Sequence, residues 1–157
     1  MKPEPTAEQT AAWETKVTSH IAAVREKLEI CRALLAERAL VHDRTKLESP
    51  EKEHFPVYCE QLANFKYNSV EYHDCLKKLG IGLKHHYMHN SHHPEHYEQG
   101  IAGMDLIDLL EMVCDCHVSS IEHGNTPQNS LVENADRFGI SPQLVQIMKN
   151  THERILS

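Results

Sequence analysis

Residues 83–100 read LKHHYMHNSHHPEHYEQG, and six of these eighteen residues are histidine: His85, His86, His89, His92, His93 and His96. The run is internal and interleaved with Tyr, Met, Asn, Pro and Glu, unlike a purification tag, which is terminal and homopolymeric. Neutral imidazole is a transition-metal ligand, and a solvated, pH-sensitive loop is the other use of so much histidine. If residues 83–90 are helical, Leu83, His86 and Asn90 share one side, so His86 points with the core-facing residues while His85 and His89 lie laterally. His92 and His93 precede Pro94 and fall in a turn. A histidine from a helix and another from the loop that follows can converge on one cation; which member of each His-His pair does so is left open by spacing alone.

Three further segments supply compatible donors. His42 and Asp43 are adjacent at the end of an apolar helical pattern, and an imidazole beside a carboxylate suits Zn, Mn or Fe. The alternative is a histidine at a helix C-terminus, where the partial negative charge favours it, next to a solvated Asp. Asp105, Asp108, Glu111, Asp115 and Ser119 recur at spacings of three and four, so they line one helix face. Asp105 reads as solvent-facing, whereas Glu111 and Asp115, like charges four apart, need a cation or histidines to offset them. His20 sits beside the apolar stripe of the first helix. Twenty-two residues of unbroken helix would hold it roughly 33 Å from His42, so both reach one cation only if the chain turns back between about residues 27 and 36.

The elements that must position these groups read as helices. Thr6 with Gln9 forms a capping-box pattern, and Trp13, Val17, Ile21, Val24, Leu28, Cys31, Leu35 and Ala39 keep helical spacing to about residue 42, as one long helix or as two. Ser49-Pro50 predicts a helix start, Ser at the N-cap and Pro at the first helical position, running towards Phe65 across Pro56. A helix over about 69–90 carries Tyr72, Leu76, Leu79, Leu83 and Tyr87 along one side and is weakened by Gly80 and Gly82. Past Gly103 an apolar helix ends at Gly124; Thr126-Pro127 and Ser141-Pro142 open the last two. No alternating strand pattern and no internal repeat is visible. The expectation is an all-α fold, a single compact multi-helix domain over residues 1–157.

Composition narrows the partners. The chain has 157 residues, with 23 acidic against 16 basic side chains and a formal charge of −7. A nucleic-acid backbone calls for a basic stripe that releases counterions, and none is visible, so no long nucleic acid is expected. A small anion held through a metal or a local lysine is compatible. The five cysteines are odd in number and contain no C-x-x-C pair, which reads as free thiols in a reducing compartment. With neither a leader pattern nor a membrane-spanning apolar run, the expectation is a cytoplasmic protein with no membrane partner.

The order His20, His42-Asp43, histidine cluster, Asp115 resembles the ligand order of the HD-domain metal-dependent phosphohydrolase superfamily, and HDRTK (42–46) resembles its His-Asp-x-x-Lys segment. At closer range the chain resembles an uncharacterised phage and bacterial family. That family's patterns are His-Asp-x-Ser-Lys-Leu-Glu-x-Pro-Glu, His-His-Tyr-x-x-Asn-x-His-His-Pro-Glu-His-Tyr and Met-x-Leu-Ile-Asp-Leu-x-Glu-Met-x-Cys-Asp-Trp. They are matched by HDRTKLESPE (42–51), HHYMHNSHHPEHY (85–97) and MDLIDLLEMVCDC (104–116), and the likeness extends over about residues 17–151. Thr45 replaces a Ser, and Cys116 stands at the Trp position, which alters the surface beside Asp115.

The superfamily resemblance implies an HD-like fold and a metal-dependent phosphohydrolase acting on a small phosphorylated molecule, with a nucleotide as the first expectation. His42, Asp43 and Asp115, with His20 as a fourth ligand, would hold one divalent ion (Mn, Zn, Fe, Co or Ni). His86 with His92 or His93 would hold a second ion or the phosphate. Lys46 would stabilise charge on the transferring group, and Glu51 or Glu111 would orient the water or a ligand histidine. Two alternatives carry the same ligands: a di-iron oxygenase, and a non-enzymatic helical binding or counter-defence module stabilised by its metal. A homo-oligomer remains open.

Overall fold

The computed structural model describes residues 4–66 and 68–155. Among these residues the regular structure is helical throughout, and the all-α expectation holds. Six α-helices follow one another: α1 (Ala7–Val41), α2 (Glu51–Ala63), α3 (Val70–His89), α4 (Leu106–Glu122), α5 (Pro127–Phe138) and α6 (Pro142–Ile155), with short 3-10 turns at Arg44–Leu47, Pro94–His96 and Gly100–Gly103. No helix among the described residues is long and apolar enough to cross a membrane.

The chain divides into two units, Met1–Leu40 and Val41–Ser157. The first is the body of α1. Its start is fixed by the reciprocal box read from the sequence: Gln9 N donates to Thr6 Oγ1 (3.2 Å) and Thr6 N to Gln9 Oε1 (2.9 Å). The helix then runs to Val41 as one piece. The reversal between residues 27 and 36 that would carry His20 back to the other ligands is therefore absent: that span contains neither Gly nor Pro, and nothing in it interrupts the hydrogen-bond ladder.

The second unit holds the remaining five helices. Most starts match their sequence signals. Ser69 Oγ accepts from Tyr72 N (3.2 Å), Thr126 Oγ1 from Asn129 N (3.3 Å) and Ser141 Oγ from Leu144 N (3.3 Å), each satisfying an orphan donor of the first turn. Asp105 caps α4 in a full capping box with Asp108. The start of α2 differs from expectation. Pro50, not Ser49, occupies the N-cap, without a side-chain cap, after a cis Ser49-Pro50 bond. Gly80 kinks α3, with φ 46° and ψ −106°, a conformation open to glycine because it lacks a Cβ. Gly82 does a different job. A Cβ there would lie 2.8 Å from His54 Cβ, so its absence is what lets α3 lie close against α2.

Two packed regions result. Met112, Val113, Leu131, Ile140 and Met148 form a core among α4, α5 and α6. Cys75, Leu79 and Gly82 are buried on α3. The chemistry-bearing side chains gather where α3, α4 and the segments 42–51 and 91–97 meet.

Candidate metal centre

The turn after α1 creates the first half of the site. Asp43 adopts the left-handed conformation (φ 54°, ψ 14°), which Asp tolerates better than most residues. Its carboxylate meets imidazoles from α3 and from the loop beyond. His86 Nε2 lies 3.4 Å and His92 Nε2 3.5 Å from Asp43 Oδ1, while His86 Nε2 and His93 Nε2 are 2.9 Å apart. Asp43, His86, His92 and His93 thus place four donor atoms within 4.8 Å of one another. His42, Asp43 and Asp115 form a second such group, with His42 Nε2 3.7 Å from Asp43 Oδ2 and 3.8 Å from Asp115 Oδ1.

Carboxylates behind the imidazoles set which nitrogens are turned inwards. Glu111 Oε1 accepts from His42 Nδ1 (2.7 Å) and lies 3.0 Å from His92 Nδ1. Glu51 accepts from His85 Nδ1 on Oε1 (2.7 Å) and from His86 Nδ1 on Oε2 (2.9 Å). An ionised carboxylate has no proton to give, so the Nδ1 atoms of His42, His85 and His86 carry the hydrogens. The Nε2 lone pairs of His42 and His86 then face the Asp43 carboxylate. Outer carboxylates of this kind fix the tautomer and raise the basicity of ligating histidines. The group His42, His92 and Glu111 reads as this hydrogen-bonded layer rather than as a further ion site.

Burial makes the inward-facing donors costly without a partner. Asp43 Oδ1 and His92 Nε2 are both buried and lack a hydrogen bond, and such orphans are rare in folded proteins. Metal–ligand bonds of about 2.0–2.2 Å in a tetrahedron put donor atoms about 3.4 Å apart. The spacings around Asp43 Oδ1 fit that, and imidazole with carboxylate is a donor set for Zn, Mn, Fe, Co or Ni. The residues present could hold a metal ion.

The charge balance differs between the two donor groups. The Glu111 hydrogen bond raises His42 above its ordinary value, against the effect of burial and with help from Asp43 and Asp115. Burial pushes Asp115 up, with Asp43 adding to the shift. Asp43 is pushed up by burial but pulled further down by the hydrogen bond and charge of Lys46, so it stays ionised. Burial lowers His86, over the opposing pull of Asp43 and Glu51. His93 falls to about 2 through burial and its neighbours His92 and His86. Neutral His86 and His93 beside ionised Asp43 are the protonation states metal ligation needs, whereas His42 and Asp115 are shifted the other way and would give up their protons to a cation.

His42, Asp43, His86, His92, His93 and Asp115 thus come together, with Glu51 and Glu111 behind them and Lys46 Nζ on Asp43 Oδ2. His20 does not join: it is an exposed residue of α1 and belongs to none of the donor groups. Three contributors escape the sequence reading. Asn90 Nδ2 donates to the His86 carbonyl (2.8 Å) and to Thr45 Oγ1 (2.9 Å), tying the end of α3 to the turn after Asp43. Thr45 in turn helps to hold the Glu51 carboxyl below its ordinary value, after the His85 hydrogen bond and against burial. Asp108 accepts from Ser91 Oγ (2.7 Å) and Tyr97 OH (2.6 Å), and so clamps both ends of the loop that carries His92 and His93. The spacing of Asn90 from His86 was the one available signal; Thr45 and Asp108 act across the fold and left none.

A cavity of about 570 Å³ opens onto His92, His93 and Asp115. The fold and this centre define an all-α protein with a histidine–carboxylate cluster that could hold a metal ion. The chain belongs to the DUF5662 family, a family of unknown function, whose model matches residues 9–154. No curated protein and no solved structure matches it.

Proposed function

We propose that the protein is a metal-dependent hydrolase of a small phosphoester. The observation that carries this reading is the pair of buried donors without a hydrogen bond, Asp43 Oδ1 and His92 Nε2, set 3.5 Å apart, with His92 also lining the cavity. Two donor groups share Asp43, so Asp43, His86, His92 and His93 would hold one ion and His42, Asp43 and Asp115 would offer ligands for a second. Bound there, a divalent cation supplies Lewis acidity that makes water nucleophilic at neutral pH and offsets phosphoryl charge.

The chain's own groups do the rest. Glu51 and Glu111 hold His86 and His42 in the ligating tautomer. Lys46 keeps Asp43 ionised and adds a cation at the rim of the cluster, where charge develops on the transferring group. Asp115, whose carboxyl burial pushes up and which lines the cavity, is placed to exchange a proton with water entering there.

The test is elemental analysis of untagged protein together with phosphate release. One or two equivalents of metal and metal-dependent release are expected, both lost in Asp43→Ala. Full activity in that variant would sink the reading. A second reading rests on the same donors: four imidazoles and two carboxylates also suit two irons. A coloured, iron-loaded protein that consumes oxygen would select it.

A further inference from the structure

The wall of the cavity, away from the metal donors, is specific enough to name what it accepts. We propose that it takes a phosphate monoester, one phosphoryl group joined to a neutral, flat, partly apolar group such as a nucleoside or an aryl alcohol. This rests on the hydrolase reading above.

Size is the first constraint. The cavity's volume of about 570 Å³ falls in the range of roughly 300–1,000 Å³ typical of small-molecule sites. Because it opens on His92, His93 and Asp115, a ligand with its phosphoryl group at the cluster must lay the remainder along this wall.

The chemistry of the wall is the second. Phe65, Tyr72, Tyr87 and Phe138 contribute aromatic surface, which suits a flat ring through stacked or edge contacts. Ser119, Asn125, Ser130 and Asn134 contribute neutral hydrogen-bonding groups, suited to the edge of a heterocycle or to hydroxyls.

Charge is the third and decides against polyphosphates. Beyond the cluster the cationic wall residue of fixed charge among the described ones is Arg137, and its guanidinium is already 2.6 Å from Glu95; Glu133 lines the same wall. A triphosphate would bring two more phosphoryl groups than the cluster can reach and would face them to aromatic rings, amides and a carboxylate. Burying such charges unpaired is strongly unfavourable. A monoester has its anionic charge at the cluster and none beyond. In its hydrolysis the water oxygen bonds to phosphorus, the P–O bond to the organic group breaks, and the alcohol leaves with a proton while inorganic phosphate is formed.

Calorimetric titration of the metal-loaded full chain, with free metal held constant, tests this with three probes: a nucleoside monophosphate, the corresponding triphosphate and glycerol phosphate. The nucleoside monophosphate is expected to bind about tenfold or more tightly than either of the others. Equal or tighter binding of the triphosphate overturns the charge assignment, and equal binding of glycerol phosphate overturns the assignment of the wall. Cys116 also lines the cavity. Cys116→Trp should weaken the nucleoside monophosphate about tenfold while metal content and glycerol phosphate binding stay unchanged; Asn134→Leu is the second variant should the first fail to fold. Unchanged nucleotide binding in a folded variant counts against the proposal. Phosphate release followed on the same samples separates the two readings: the expected binding order without release overturns the hydrolase and leaves the ligand class standing.

Discussion

Glu51 Oε2 lies 2.9 Å from His86 Nδ1, and both side chains are buried, Glu51 fully. The other oxygen of the same carboxylate holds His85. One acid from the start of α2 thus orients two successive histidines of α3. It also sets the inward nitrogen of His86 towards Asp43 and His93. A buried carboxylate so placed stabilises the site through its partners' geometry.

Replacing it by an amide tests that role. Glu51→Gln keeps the shape but removes the charge that fixes the Nδ1 hydrogens. Metal affinity is expected to fall about 10–100-fold, read by competition with a chelating dye, while the helical circular-dichroism signal is retained. Metal affinity equal to that of the parent protein would reduce Glu51 to a packing residue.

Removing the metal should expose how much of the stability it supplies. A ligand that binds only the folded state adds about 2.7 kcal/mol at a concentration one hundred times its dissociation constant. Thermal unfolding with and without excess chelator is expected to show a lower midpoint in chelator, with the difference abolished in a His42→Ala/Asp43→Ala double variant. Superimposable melts for the parent protein would remove the metal from the account.

The metal-free protein should also weaken in mild acid. His86 and His93 are both held below the ordinary histidine value, His93 down to about 2. The unfolded chain therefore takes up protons near pH 6.5 that the folded chain refuses. The stability tied to these two groups is present above pH 6.5 and is lost as pH falls towards their folded values. His42, raised in the fold, works oppositely: its contribution is complete below pH 6.5 and disappears as pH rises through its folded value. Asp115, also raised, gains only in more acidic solution. With His86, His93 and His152 lowered against His42 raised, the urea midpoint of chelated protein is expected to fall as pH is taken from 7.5 to 5.5. A midpoint that rises over that interval would contradict the protonation states assigned here.

Much of this was legible in the sequence, and the exceptions have a common cause. Ser69, Thr126 and Ser141 announce their helices because a cap is a local event within three residues. The inward direction of His86 follows from helical period alone, and the pairing of acid and histidine follows from Glu111 and Asp115 sharing a face. What one dimension hides is contact across elements. Glu51 reaches His85 and His86 because Gly82 lets α2 and α3 approach, and no local pattern reports that. Asp108 lies on the acidic face of α4 with nothing local to mark its role, and the loop 91–97 folds over and buries it. His20 fails for the reverse reason. Its place in the order His20, His42-Asp43, Asp115 is suggestive, but an unbroken helix does not bend to serve an order of residues.

Asp108 offers the sharpest test of that cross-element dependence. It is 5% exposed and accepts from Ser91, Tyr97 and the backbone N of Asp105, and it is a member of none of the donor groups. Truncation in Asp108→Ala leaves those donors unsatisfied, so a loss of about 1–3 kcal/mol is expected in urea unfolding. The consequence for the site is the more informative part. Ser91 immediately precedes His92 and His93, and Tyr97 closes the same loop, so freeing both ends lets the imidazoles drift from the positions that match metal–ligand distances. Metal affinity should fall in Asp108→Ala and recover partly in Asp108→Asn, whose carbonyl oxygen still accepts from one hydroxyl. If Asp108→Ala loses stability with metal affinity unchanged, the loop is held by the 3-10 turn and its packing, and Asp108 belongs to the fold alone.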